Sequence, residues 1–215
     1  MYKIKKNKKI FLASSSPRRK TLLEQIAHNL GIEVIILQPD PDKNMEEIET
    51  PKNNESPTKY VKRIALNKAH AAIDWIKISR KSAHPILTAD TTVSFKGKIL
   101  GKPRDKKDAY SMLKLLSNNS HHVLTSVVVI DYCYEAKKSQ IKRNTYQTTN
   151  STTVWFGEIS NSWLNRYIKS GEPLDKSGAY GIQGKGQEII KKINGSYSSV
   201  MGLPLFETLG ILKKL

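Results

Sequence analysis

Ile10-Phe11-Leu12-Ala13-Ser14-Ser15-Ser16-Pro17-Arg18-Arg19 sets a short apolar run, a turn of small hydroxyl residues and a proline-led basic segment end to end. The apolar run reads as a buried strand. Pro17 suits the first position of a helix and Ser16 its N-cap. Leu22, Leu23, Ile26, Ala27 and Leu30 then recur at helical spacing until Gly31, which can end the helix. A strand, a tight turn and a helix N-terminus together make an anion site, because unpaired backbone N–H groups and the helix dipole meet there. Two adjacent arginines in the first turn oppose that dipole, and an anion between them would relieve the conflict. The same residues are compatible with plain capping and two solvated arginines. No Gly-x-x-x-x-Gly-Lys-Ser/Thr phosphate loop occurs.

Outward from this unit, strands and helices alternate without an internal repeat. Ile32 to Leu37 reads as a second strand, followed by a polar, acidic stretch over about 38–56 that is expected to be a flexible surface loop. Ser56-Pro57 repeats the cap-and-proline signal ahead of Tyr60, Val61, Ile64, Ala65, Ala69, Ala72, Ile73 and Ile76. Pro85 to Ala89 predicts a strand ending in Asp90-Thr91-Thr92, and Val93 to Leu100 a hairpin turning at Lys96-Gly97. Lys106 to Ser117 reads as a helix, Val123 to Asp131 and Thr145 to Phe156 as paired β segments, and Ser160 as the cap of a helix stopped by Gly171. A glycine-rich passage from Gly171 to Gly186 precedes a strand over Glu188 to Ile193 and a closing helix from Pro204 to Leu212. The pattern is α/β, with a mixed sheet because some strands are linked by hairpins. A chain of 215 residues suits a single domain, with a core and a cleft.

The formal charge of +17 predicts attraction to polyanions, among which nucleic acid, anionic membrane and phosphorylated metabolites all qualify. Abundant lysine, asparagine and isoleucine are also what genome-wide compositional drift would leave, so the charge by itself does not choose a partner. A single cysteine, Cys133, excludes a disulfide framework and a multi-cysteine metal site and suggests a reducing, cytoplasmic compartment. The apolar run after the basic residues 1–9 is too short for a signal-peptide core, and no later run reaches transmembrane length.

Several positions could carry chemistry. Asp90 after an apolar strand should emerge at the strand's C-terminal end, where open α/β sheets place ligands, and could hold Mg²⁺ or activate water. A turn aspartate bonded to its own backbone is the plainer alternative. Lys68 interrupts an apolar helix face and either snorkels outward or reaches into a cleft. Gly101-Lys102-Pro103 offers another cation. Asp40, Asp42, Glu46, Glu47 and Glu49 offer acidic groups that could complete a hard-cation site with Asp90. Gln183, within the glycine-rich passage, has the donors and acceptor to read a base edge. His121 and His122 have no partner serine or cysteine at a telling position, and Trp155, Trp163 and Cys133 carry no assigned function.

Taken together, Leu12 to Arg19, Ala89-Asp90-Thr91, Gly101-Lys102-Pro103, Leu174 to Gly184 and Gly195-Ser196-Tyr197 with Gly202-Leu203-Pro204 resemble the Maf family, in that order and over nearly the whole chain. The resemblance implies an elongated α/β fold with a mixed sheet and flanking helices, two lobes around a central cleft, like the inosine triphosphatases (Maf/Ham1 architecture). It also implies a house-cleaning nucleoside triphosphate pyrophosphatase that depends on a divalent metal, Mg²⁺ or Mn²⁺, in a family also named for inhibiting septum formation. Arg18, Thr91 and Gln183 are similar to the specificity positions of the branch acting on dTTP and UTP. Asp90 takes the place of the proton acceptor, and Ser14, Arg18, Arg19, Lys68 and Lys102 those of phosphate contacts. Many members carry an Asp-Glu pair soon after the second strand. Here Asp42 is followed by Lys43, so the acidic metal partner of Asp90 stays open among Asp42, Glu46, Glu47 and Glu49. The partner expected is the triphosphate, with a homodimer compatible, and neither a membrane nor a specific nucleic acid. The competing readings are a non-enzymatic nucleic-acid-binding or septum-formation regulator, and the same reaction on a modified nucleotide. No aromatic–basic interleaving of the kind that binds single strands appears.

Overall fold

β1 (Lys8–Leu12) leads through the serine turn into α1 (Pro17–His28), and Ser16 Oγ accepts the Arg19 N–H at 3.4 Å as the N-cap. The computed structural model describes residues 8–38, 40, 45–79, 84–135 and 140–215. The chain continues through β2 (Ile32–Ile36), the short α2 (Met45–Glu49), the long α3 (Pro57–Ile78) and β3 (Ile86–Phe95). It then forms β4 (Lys98–Leu100), α4 (Lys106–Leu116), β5 (Ser120–Glu135), β6 (Gln140–Phe156) and α5 (Asn161–Lys169). Three short 3-10 turns precede β7 (Ile190–Asn194), α6 (Tyr197–Met201) and α7 (Leu205–Leu212). Ser56, Asp105 and Ser160 each accept a backbone N–H from three residues on, capping α3, α4 and α5 as side-chain chemistry predicts.

The strands form one seven-stranded mixed sheet in the order β2-β1-β3-β5-β6-β7, with β4 paired to the far half of β3. β1 runs parallel to β2 and β3, and the remaining pairs are antiparallel. Alternation along the strands sorts side chains to two covered faces. Phe11, Ile86, Val128 and Ile130 pack with Ala65, Ala69 and Ile73 of α3, whereas Ile10, Leu12, Leu87, Ala89, Val127 and Val129 pack with α1 and α7. A third cluster around Val93, Leu113, Val154, Phe156, Leu164 and Tyr167 fastens α4 and α5 at the other end of the sheet.

Four features differ from the sequence expectation. β3 does not end at Asp90. It runs on to Phe95, because Asp90 to Ser94 keep pairing with β5 and Val93 to Phe95 pair with β4 through the Lys96-Gly97 turn. The acidic stretch after β2 is not all irregular, since α2 lies within it. The strand expected from Glu188 starts at Ile190, and the Gly195-Ser196-Tyr197 segment opens a further short helix, α6, capped by Ser196 Oγ on the Ser199 N–H at 3.1 Å.

Candidate active site

The opening of the cleft follows from where strands stop. β1 pairs with β3 only at Ile86 and Leu87, and β4 joins β3 only from Val93, so among the described residues Thr88 to Thr92 have β5 on one side and no strand on the other. Alternation then sends Asp90 to the α3 face and Thr91 to the α1 face of the same exposed edge. Around this notch lies a cleft of about 700 Å³. Ser14, Arg18, Arg19, Glu49, Lys68, Asp90, Thr91, Lys102 and Gln183 all line it, so the tertiary structure collects positions scattered over most of the chain. Glu47 is exposed and is not part of the lining. Asp42 and the Glu46 side chain lie outside the described residues, as does the Cys133 side chain.

The serine turn supplies donors. Ser14 Oγ accepts from the Ser16 N–H at 3.2 Å and from Arg19 Nη1 at 3.4 Å, which occupies both lone pairs and leaves its O–H proton to offer. Arg19 is anchored further by Nε to the Gly202 carbonyl at 2.9 Å and Nη2 to Thr91 Oγ1 at 3.1 Å. Desolvation pulls the Arg19 pKa below the usual arginine value and the neighbouring Arg18 adds to this, while Asp90 and Glu49 work in the opposite direction. The Arg18 side chain makes no hydrogen bond among the described residues; burial pushes the Asp175 carboxyl upward, but Lys176, with a smaller contribution from the Arg18 charge, holds it below its ordinary value.

Lys68 does not snorkel. It is largely buried, and its Nζ donates to Asp90 Oδ1 at 2.8 Å and meets Glu49 Oε1 at 2.6 Å. Asp90 itself is buried mid-strand, so the turn-aspartate alternative does not apply. Burial pushes the Glu49 carboxyl upward, but the Lys68 ammonium, with smaller help from Lys102 and Arg19, holds it below the ordinary range.

Glu49 is delivered there by α3. Three successive carbonyls around it are captured: Ile48 by Arg63 Nη1 at 3.2 Å, Glu49 by the Tyr60 hydroxyl at 2.8 Å and Thr50 by Arg63 Nη2 at 3.0 Å. Arg63 is locked in turn by both oxygens of Glu55, each at 2.6 Å. Sequence reading left Glu49 among several acids, and the available signal was Tyr60 and Arg63 at i and i+3 on one helix face.

The glycine-rich passage lines the opposite wall. Lys176 Nζ donates to the Glu172 carbonyl and to Asp175 Oδ1, each at 2.6 Å, while Glu172 Oε1 accepts from the Tyr167 hydroxyl at 3.1 Å. A Cβ on Gly186 would lie 2.3 Å from the Gly181 carbonyl oxygen, so this loop closes on itself only with glycine there. Gln183 stands exposed on its rim. Tyr180 in the same loop is bonded to Nε2 of buried His121 at 2.7 Å, the partner that sequence reading did not find.

Asp90 and Glu49 converge on one ammonium, and an all-oxygen pair of carboxylates beside phosphate donors suits a hard divalent cation, which commonly takes one or two carboxylates and completes its shell with substrate and water. No helix among the described residues is long and apolar enough to cross a membrane.

Comparison with known proteins follows the same lines. The chain is 42% identical over 204 residues to a dTTP/UTP pyrophosphatase of Burkholderia thailandensis, covering 95% of this chain and 91% of that protein. It is 44% identical to one of Burkholderia lata over the same shares, and 42% identical to one of Cupriavidus pinatubonensis, covering 95% and 96%. Among solved structures, a HAM1 protein from Coxiella burnetii superposes with a TM-score of 0.50 at 14% identity, covering 97% of this chain and 100% of that one, a likeness of fold alone. The family described as Maf-like protein matches residues 9–215, and the chain belongs to the Maf family.

Proposed function

We propose that this protein hydrolyses dTTP and UTP to the nucleoside monophosphate and pyrophosphate. The observation that carries the reading is the opposition, across one cleft, of an arginine-bearing helix N-terminus and a carboxylate pair held by a buried lysine. The names of the relatives, all dTTP/UTP pyrophosphatases at about 42% identity, support the same reaction.

The turn at Ser14 to Arg19 is suited to bind the phosphate chain: the Ser14 O–H, the two guanidinium groups and the Arg18 N–H, which the cap at Ser16 leaves unspent, are donors preset for negative charge. Asp90 accepts a proton from the attacking water as its oxygen bonds to the α-phosphorus. The α–β anhydride bond breaks and pyrophosphate leaves with charge that Arg19, Lys68 and Lys102 neutralise. Mg²⁺ or Mn²⁺ held by Asp90 and Glu49 would polarise the phosphoryl oxygens and acidify bound water. Arg18 and Gln183 face the remaining part of the cleft, and the Gln183 amide offers the donor and acceptor that a uracil or thymine edge complements. A cytoplasmic setting, where such triphosphates reside, suits this chemistry.

The test is to incubate the purified chain with normal and modified triphosphates plus Mg²⁺ or Mn²⁺ and to identify the products. Monophosphate with pyrophosphate from dTTP and UTP is expected. Release of diphosphate with orthophosphate would overturn the bond assigned, and no turnover of any triphosphate would overturn the activity. Faster turnover of modified nucleotides would instead assign the house-cleaning specificity that the family resemblance implies.

A further inference from the structure

We infer that Thr125, fully buried and outside the lining of the cleft, is a positioning residue for Arg19. The inference rests on the proposed role of Arg19 in gripping phosphate. Thr125 Oγ1 donates to the Ser199 carbonyl at 2.7 Å. A hydroxyl has one proton, and that bond spends it. The 3.0 Å contact between Thr125 Oγ1 and Thr91 Oγ1 is therefore donated by Thr91. This spends the Thr91 proton in turn, so Thr91 meets Arg19 Nη2, at 3.1 Å, only as an acceptor. The relay has one polarity from end to end: Arg19 to Thr91, Thr91 to Thr125, Thr125 to the Ser199 carbonyl.

The relay ends on α6, and so does the second anchor of the guanidinium, Nε to the carbonyl of Gly202, which caps that helix. Arg19 is thus referenced twice to one short helix, once directly and once through two threonines paired across β3 and β5. Preset charge is what accelerates phosphoryl transfer, and a guanidinium free to swing loses that advantage without losing its charge. A valine at 125 has the shape of threonine without the hydroxyl. It would leave the Thr91 proton with no acceptor and free Thr91 Oγ1 to turn away from Arg19.

The experiment compares Thr125→Val, Thr125→Ser and Thr91→Val with the natural protein, reading kcat and KM for dTTP, pyrophosphate binding by calorimetry and the melting temperature. Thr125→Val is expected to lower kcat by about tenfold to a hundredfold. Thr125→Ser, which keeps the hydroxyl but loses the methyl group, should recover kcat to within about twofold while melting no higher than Thr125→Val. A purely structural threonine gives the reverse pattern, with melting temperature moved and kcat untouched. Combining Thr125→Val with Thr91→Val should cost no more than the worse single change, since each cuts one chain. Natural kcat in Thr125→Val, equal impairment in Thr125→Ser, or additive losses would overturn the inference. Where Thr125→Val does not fold, Thr125→Ala, smaller and equally without the hydroxyl, decides: weaker pyrophosphate binding than in Thr125→Ser supports the relay and equal binding overturns it. A natural protein that binds pyrophosphate without hydrolysing any triphosphate would refute the proposed function and leave the relay to be judged on binding. One that does not bind pyrophosphate refutes the relay's role as well.

Discussion

Lys68 Nζ and Asp90 Oδ1 lie 2.8 Å apart, joining the long helix to the open edge of β3, and the same ammonium holds Glu49. Replacing Asp90 by Asn keeps Lys68 paired with Glu49, so no charge is stranded. Turnover should fall at least about 10²–10³-fold with the melting temperature nearly unchanged. Pyrophosphate release with a parallel thermal melt checks this, and full activity in Asp90→Asn would sink the assignment.

Lys68→Met, by contrast, leaves two carboxylates facing each other in a partly buried site. We expect a marked loss of stability that added Mg²⁺ or Mn²⁺ partly restores, because a divalent cation substitutes for the missing ammonium. For the natural protein, chelation should stop turnover reversibly. A Lys68→Met melting curve indifferent to the cation argues against a metal at this pair.

The Arg63 clamp should matter for both stability and catalysis. Arg63→Gln breaks the paired bonds to Glu55 and releases the carbonyls of Ile48 and Thr50, with an expected loss of about 2–3 kcal/mol and a lower kcat as Glu49 drifts. The Arg63 hydrogen bond holds the Glu55 carboxyl down to about 2 against an ordinary value of 4.5. A lowered folded-state pKa stabilises above the unfolded value and loses that stability as pH falls toward the folded one. The melting advantage of the natural protein over Glu55→Gln should therefore be constant above about pH 4.5 and shrink between there and about pH 2. A difference that does not change over that window would remove the ion pair from the account.

His121 supplies a second acid-sensitive element. Burial, with a smaller push from His122, lowers its pKa from 6.5 to about 4. Between those values the unfolded chain binds the proton more readily, so stability should fall as pH drops from about 6.5 to about 4. His121→Asn should flatten this part of the stability–pH curve. An unaltered slope in the variant would assign the acid sensitivity to other groups.

Gln183 tests base reading separately from chemistry. It is exposed, so Gln183→Ala should fold normally and lose discrimination for dTTP and UTP over other triphosphates by about tenfold in the ratio of kcat/KM. An unchanged preference would move selectivity to Arg18 and Thr91.

Local physics was legible throughout the sequence. Ser16-Pro17, Ser56-Pro57 and Ser160 start helices because a side-chain acceptor three residues ahead of an N–H is a short-range arrangement. Lys68 stood out on its helix because one charge interrupts an apolar period. The short helix α6 was missed, although Ser196 as cap and Gly202 at the end, with a φ of 116°, bracket it, because five residues carry too little periodicity to register.

By itself the sequence determined the serine caps, most of the alternation of strands and helices, the serine turn between β1 and α1 and the residue types available to a cleft. Each depends on neighbours within a turn or a strand. Only the tertiary structure decided that Asp90 sits mid-strand at an open edge, since this depends on where β1 stops and β4 begins. Only it brought Glu49 to the Lys68 ammonium, because Tyr60 and Arg63 grip the backbone carbonyls of that segment. And only the pairing of β3 with β5 brings Thr125 beneath Thr91 and Arg19, a relation carried by ladder register that no local spacing encodes.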